Sequence, residues 1–155
     1  MNASPFQSAS DLDIEQFAAL CSRQTDLADY EYADSVAHNA VRYRTDALLA
    51  ADAPVVKAEL NRCLKDGPGL LVVQRAFPDA AALDRHTALF AEITAEEKAD
   101  ADHHGDHFAQ PGANERVWNS IQKVCAKDPA LCIDYYSNPV LALLSTAWVG
   151  PNYQI

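Results

Sequence analysis

Residues 67–78 read Gly-Pro-Gly-Leu-Leu-Val-Val-Gln-Arg-Ala-Phe-Pro, and this stretch decides which fold class the sequence predicts. Leu70 to Val73 form a short apolar run between turn-forming residues, which is typical of a β-strand covered on both faces. Pro78 and Asp79 then indicate the start of a helix. Because helical patterns lie on both sides of this strand, we expect a helix-rich α+β chain.

Three helices are predicted before the strand. The first follows a capping box formed by Ser10 and Asp13. The second is predicted over residues 35–50 from the helical spacing of its apolar side chains. The third starts at Pro54, a favoured first-turn residue, and ends before Gly67.

Further helices are predicted after the strand that starts at residue 70. The first follows Pro78, and Thr94 with Glu97 indicates a separate short turn. Another is predicted over residues 115–126 and a last one from Pro139, with Asn138 as its cap. The inward side chains predicted for these last two helices are Val117, Trp118, Ile121, Val124 and Cys125, and then Leu141, Leu144 and Trp148. Residues 153–155 resemble the start of a second strand, which must pair with another strand.

Composition narrows the classes of partner. The chain has 155 residues, 49% of them apolar, and a formal net charge of −10. Such an acidic balance disfavours nucleic acid and anionic membranes, because both require clustered Lys and Arg. No secretory signal and no membrane-spanning apolar run is visible. We therefore expect a cytoplasmic protein.

The cysteines and a histidine-rich cluster are the candidate metal ligands in the sequence. The four cysteines, Cys21, Cys63, Cys125 and Cys132, include no Cys-x-x-Cys pair, so a structural zinc site is not expected. A second cluster contains His103, His104, Asp106 and His107, and its His-Gly-Asp order matches part of a two-histidine-one-carboxylate iron site. No histidine follows His107 to complete that site. We expect a solvated loop here, with a small metal-binding protein as the alternative.

Three segments together resemble a known family. They are residues 67–78, residues 106–119 (Asp-His-Phe-Ala-Gln-Pro-Gly-Ala-Asn-Glu-Arg-Val-Trp-Asn) and residues 134–155, which lead through a helix to Gly-Pro-Asn-Tyr-Gln-Ile. Their order and spacing resemble the phytanoyl-CoA dioxygenase family of iron(II)/2-oxoglutarate oxygenases. The resemblance covers about residues 65–155. It implies an N-terminal helical extension over residues 1–64 and the N-terminal portion of a dioxygenase-like domain over residues 65–155.

The resemblance implies a jelly roll, also called a double-stranded β-helix, of which this chain holds only the first strands. Family members hold Fe(II) with a His-x-Asp pair and a later His, bind 2-oxoglutarate and hydroxylate small organic molecules. None of these iron ligands has a counterpart before Ile155. We therefore expect a fragment that lacks the metal triad, binds neither Fe(II) nor 2-oxoglutarate tightly and is inactive alone.

Two residues are candidates for cofactor binding under this resemblance. Lys123 is placed to meet a co-substrate carboxylate, and Gln154 to line the active site from a core strand. The alternatives are a solvated lysine and an ordinary polar strand residue. Tyr135 and Tyr136 are expected to be packing residues. No catalytic or metal-binding residue is predicted within the chain.

A different class of function is also compatible with the sequence. The alternative hypothesis is a non-enzymatic helical interaction module that adds its C-terminal strand to the sheet of a partner protein. This hypothesis predicts that the chain folds stably and that its stability does not depend on a metal ion.

Overall fold

A β-hairpin forms where the sequence patterns predicted a helix. The computed structural model describes residues 13–99 and 117–154, and in them β1 (Ser35–Ala37) pairs antiparallel with β2 (Ala40–Arg44). The two-residue turn between them, His38 and Asn39, has φ angles of 53° and 62°. Positive φ at both turn positions is the geometry that matches the twist of a hairpin, and Asn tolerates it well. The prediction of a helix over residues 35–50 is therefore wrong for residues 35–44.

The remaining elements confirm a helix-rich α+β fold. A 3₁₀ turn (Leu27–Asp29) precedes the hairpin, and seven α-helices lie in the described residues. They are α1 (Ile14–Cys21), α2 (Thr45–Ala50), α3 (Ala53–Lys65), α4 (Ala80–Ala99), α5 (Ser120–Lys127), α6 (Pro129–Tyr136) and α7 (Pro139–Val149), with β3 (Leu71–Gln74) between α3 and α4.

The third strand completes a sheet of order β1-β2-β3. β3 pairs in parallel with β2, from Val41 opposite Leu71 to Arg44 opposite Gln74. β3 thus begins one residue later than the predicted run. Val72 is 41% exposed, so the prediction that this strand is covered on both faces is wrong within the described residues.

The main core lies between the sheet, α3 and α7. Pro54 stands in the first turn of α3, as predicted, and the Asn61 amide donates a 2.8 Å hydrogen bond to the Ala147 carbonyl on α7. The buried residues of this cluster are Tyr30, Val41, Tyr43, Leu48, Val56, Leu60, Cys63, Leu143 and Ala147. They come from both sides of the predicted boundary at residues 64 and 65. The division into an extension and a domain stays a prediction.

A second, smaller core joins α4, α5 and α6 around Ile93, Val124 and Cys132. α4 runs unbroken past Thr94, whose hydroxyl donates to the Phe90 carbonyl one turn earlier at 2.8 Å. The predicted helix start at Thr94 and Glu97 is therefore wrong. α6, which the sequence patterns did not reveal, is capped by the Asp128 carboxylate.

The structure also corrects which side chains face inward on α5. This helix begins at Ser120, after Asn119 in a left-handed conformation with φ of 53°. Trp118 precedes it and is 57% exposed, so its prediction as a core residue is wrong. Among the five side chains predicted to face inward, Val124 alone is buried.

α7 has the predicted start but a different buried face. Asn138 caps it as predicted, because its Oδ1 accepts a 2.8 Å hydrogen bond from the Val140 amide. The Asn138 side-chain amide also donates to the Ala76 carbonyl at 2.7 Å, which ties α7 to the segment after β3. The buried side chains are Val140, Leu143 and Ala147 rather than the predicted Leu141, Leu144 and Trp148.

α7 ends at Val149, and Gly150, which has φ of 89°, follows it as the C-cap. Tyr153 and Gln154 have no regular secondary structure, so the predicted strand is absent at these two residues. Ile155, the last residue of that prediction, lies outside the described residues.

A buried carboxylate fixes the loop that leads into β1. Glu59 on α3 is 5% exposed, and its two oxygens accept hydrogen bonds from the backbone amides of Glu31 at 2.8 Å and Tyr32 at 3.1 Å. Hydrogen bonds to a charged acceptor are stronger than neutral ones. Glu59 therefore holds this loop to α3, and Arg62 of the same helix adds a 2.6 Å hydrogen bond to the Asp29 carbonyl just before it.

Replacing Glu59 with Ala should lower the free energy of unfolding by about 2–3 kcal/mol, because two backbone amides lose a charged acceptor. The measurement is a urea unfolding curve at neutral pH. Glu31→Ala is the matched control: it removes an exposed carboxylate at the same loop and keeps the backbone donor. Equal losses in both variants would contradict a role for the buried hydrogen bonds.

Candidate functional site

The two predicted cofactor-binding residues lie on different elements. The Lys123 ammonium on α5 donates a hydrogen bond to the Glu97 carboxylate on α4, and the two groups form an ion pair. Gln154 is exposed and follows α7. To bind a co-substrate carboxylate, the Lys123 ammonium would have to exchange Glu97 for the new anion. Both proposed roles stay predictions.

The neighbouring Lys127 is engaged in the same way. Its ammonium lies 2.7 Å from the Glu92 carboxylate and 2.6 Å from that of Glu96. These hydrogen bonds raise the pKa of Lys127 above its ordinary value. On this side of α5, the cationic groups are therefore paired with carboxylates of α4.

The histidine-rich segment at residues 103–107 lies outside the described residues. In the described ranges, no group of three or more His, Cys, Asp or Glu side chains is arranged to hold a metal ion. Of the two histidines described, His38 occupies the hairpin turn and His86 is buried in α4.

A cavity of about 300 Å³ lies between α4, α5 and α6. Its volume is at the lower end of the range of about 300–1,000 Å³ typical of small-molecule sites. Three of its lining side chains are aromatic carbon rings and one is an imidazole. The lining residues are Leu83, His86, Thr87, Phe90, Val124, Tyr135 and Tyr136.

His86 is the buried polar side chain in the lining of this cavity. Its side chain is nearly enclosed, at 7% exposure, and its Nε2 lies 3.1 Å from the Leu131 carbonyl. A carbonyl oxygen only accepts hydrogen bonds, so Nε2 carries a proton. In the neutral ring, Nδ1 then holds a lone pair.

The tyrosines of α6 hold the aromatic wall in place. Tyr135 stacks on Phe77 with ring centroids 4.7 Å apart, and contacts the His86 ring at the same distance. Tyr136 meets Tyr135 edge to face at 5.0 Å and packs on the second core. Burial raises the pKa of the Tyr136 hydroxyl. Both residues pack as predicted, and both also line the cavity.

The sequence patterns did not indicate this site. His86 stood at helical spacing with Leu83 and Phe90, and a histidine within an otherwise apolar stripe was the available signal. The partner residues come from α6, a helix that the patterns did not predict.

A second buried polar group lies in the main core. The Tyr43 hydroxyl is fully buried and makes no hydrogen bond to the described residues. Burial is the main cause that raises its pKa, and the neighbouring Cys63 and Glu59 add to the shift. Glu59 is already engaged by two backbone amides, so this cluster is a structural one.

An apolar cleft of about 520 Å³ adjoins β3 on its α7 side. Leu64 from α3, Leu70 and Leu71 beside and in β3, and Leu144 and Trp148 from α7 line it. Trp148 is 53% exposed at the end of α7. Open apolar surface of this kind marks contact sites for other polypeptide segments.

Comparisons with protein-family models, with curated proteins and with solved structures gave no match to this chain. Among the described helices, none is both long and apolar enough to cross a bilayer.

The four thiols should fall into two reactivity classes. Cys21 and Cys125 are exposed, whereas Cys63 and Cys132 are buried. Burial raises the pKa of Cys63, and the neighbouring Cys125 thiol, with burial, raises the pKa of Cys132. Both effects lower the thiolate fraction that reacts.

With a disulfide reagent such as DTNB at neutral pH, we expect two thiols to react fast and two roughly a hundredfold more slowly, through local opening. All four should react at once in denaturant. The double variant Cys21→Ser/Cys125→Ser should lose the fast phase. Fast reaction of three or four thiols in the folded chain would contradict this assignment.

Proposed function

We propose that this chain is the N-terminal portion of an Fe(II)/2-oxoglutarate-dependent oxygenase that hydroxylates a small organic molecule. The observation that carries the proposal is the free edge of β3. This strand belongs to the segment that resembles the phytanoyl-CoA dioxygenase family, and within the described residues it pairs only with β2.

A free strand edge presents unpaired amides and carbonyls that favour pairing with another strand. β3 is also flanked by exposed apolar side chains, since Leu70 and Val72 both face solvent. The further strands of a jelly roll would satisfy this edge. This arrangement supports the proposal of an incomplete sheet.

The apolar cleft beside β3 supports the same proposal. Leu70, Leu71 and Trp148 expose apolar area at the point where the sheet meets the end of α7. Covering apolar surface is favourable by about 25 cal/mol per Å². Strands that extend the sheet past β3 would cover this cleft.

The described residues do not themselves fit an iron centre. No suitable group of ligands is arranged among them, and Lys123 is paired with Glu97. The proposal therefore assigns the iron ligands, and the basic residue that grips 2-oxoglutarate, to a longer product of the same gene, after Ile155.

The test is to express the reading frame continued beyond the Ile155 codon. We expect a His-x-Asp pair soon after Ile155, then a later His and an Arg. The purified longer product should release carbon dioxide from 2-oxoglutarate only when Fe(II) is present. Unrelated sequence after Ile155, or no turnover that depends on iron, would overturn the proposal.

A second measurement uses the 155-residue chain. An Fe(II) titration should show no tight binding, because the predicted triad is not in it. Tight binding that disappears in His104→Ala would instead support the small metal-binding protein.

The interaction module is a second candidate function, and the same free edge of β3 favours it, because an exposed edge accepts an extended peptide. The two candidate functions differ in how the 155-residue chain should behave by itself. An interaction module should unfold cooperatively as 155 residues and need no continuation with oxygenase ligands.

A further inference from the structure

The cavity between α4, α5 and α6 has the dimensions of a site for a small ring compound. An apolar cavity of about 150 Å³ suffices to bind benzene. At about 300 Å³, this one has room for one or two fused rings. Phe90, Tyr135 and Tyr136 supply aromatic surfaces, which pack well against a planar molecule in stacked or edge-to-face geometry.

The imidazole of His86 favours a ligand that can donate a hydrogen bond. Nε2 is bound to the Leu131 carbonyl. Nδ1 has no hydrogen-bond partner among the described residues, and it is not one of their fully enclosed unpaired polar atoms, so a small molecule can reach it. A ligand with an N–H or O–H group would complete the hydrogen bonding of this ring.

The charge of the site selects against ions. None of the seven lining residues is Asp, Glu, Lys or Arg. The Lys127 ammonium on α5 is already paired with the carboxylates of Glu92 and Glu96 on α4. An ionic ligand would lose its hydration without gaining a partner of opposite charge.

We propose that this cavity binds a planar, uncharged aromatic molecule of one or two rings that donates a hydrogen bond to Nδ1 of His86. The inference does not depend on the oxygenase proposal, because it rests only on residues of α4, α5 and α6.

Indole is a suitable probe, because it is planar, bicyclic and uncharged and carries one N–H donor. N-Methylindole has the same rings without the donor. By calorimetric or NMR titration of the whole chain, indole should bind with a Kd of about 0.1–1 mM, the range expected for a ligand of this size. N-Methylindole should bind about three- to tenfold more weakly, as expected for one lost hydrogen bond.

A variant of the acceptor separates the hydrogen bond from the fit of the extra methyl group. His86→Phe keeps an aromatic ring and removes Nδ1. In this variant the two probes should bind equally. If N-methylindole remained weaker by the same factor, the difference would come from size, and the proposed hydrogen bond would be excluded.

A second pair of variants locates the site without touching the core. Thr87 lines the cavity and is exposed, and Ala88 is the adjacent exposed residue of α4 that does not line it. Thr87→Trp should lower indole affinity at least about tenfold by filling the cavity. Ala88→Trp should leave it unchanged.

Three further results would overturn the inference. They are no indole binding to the unchanged chain up to about 10 mM, far above the expected range, equal binding of both probes to that chain, and unchanged binding in Thr87→Trp. The first two use the unchanged chain and do not depend on whether His86→Phe folds.

Discussion

The parallel pairing of β2 with β3 is the constraint on which the rest of the structure depends. Parallel neighbours cannot be joined by a tight turn, so the chain must cross over between them. Here α2 and α3 make that connection. The crossover places Val56, Leu60 and Cys63 of α3 in one core with Val41 and Tyr43 of β2, all five fully buried. α7 then packs on α3 and closes this core.

Two polar groups buried at this core differ in their hydrogen bonding. The Glu59 carboxylate accepts two strong backbone hydrogen bonds and thereby fixes the loop before β1. The Tyr43 hydroxyl is equally buried but has no partner among the described residues. A buried group without a hydrogen bond costs stability, whereas a paired one adds specificity of packing. Glu59 is thus the polar side chain that joins the hairpin side of the sheet to α3.

The functional proposals use two different surfaces. The oxygenase proposal concerns the free edge of β3 and the apolar cleft beside it, where a sheet can be extended. The proposed ligand would bind between α4, α5 and α6, where His86 faces an aromatic cavity. Lys123 lies on this second unit in an ion pair with Glu97, and Gln154 follows α7. The two residues predicted to bind a cofactor thus lie on different parts of the chain, one in an ion pair and the other exposed.

Local signals determined where many elements begin and end. Pro54, Asn138 with Pro139, Gly150 and the apolar run at Leu71 act through their own backbone geometry and hydrogen bonding, which their neighbours in sequence largely specify. The α+β class and most of the helices followed from such signals. Only the tertiary structure decided which strands pair and which face of each helix is buried. Residues 35–44 have a spacing compatible with a helix, and they form strands because β3 provides a partner for β2. Trp118 and Trp148 are exposed, and His86 gains its partners from α6, because the inward face of a helix depends on which element packs against it.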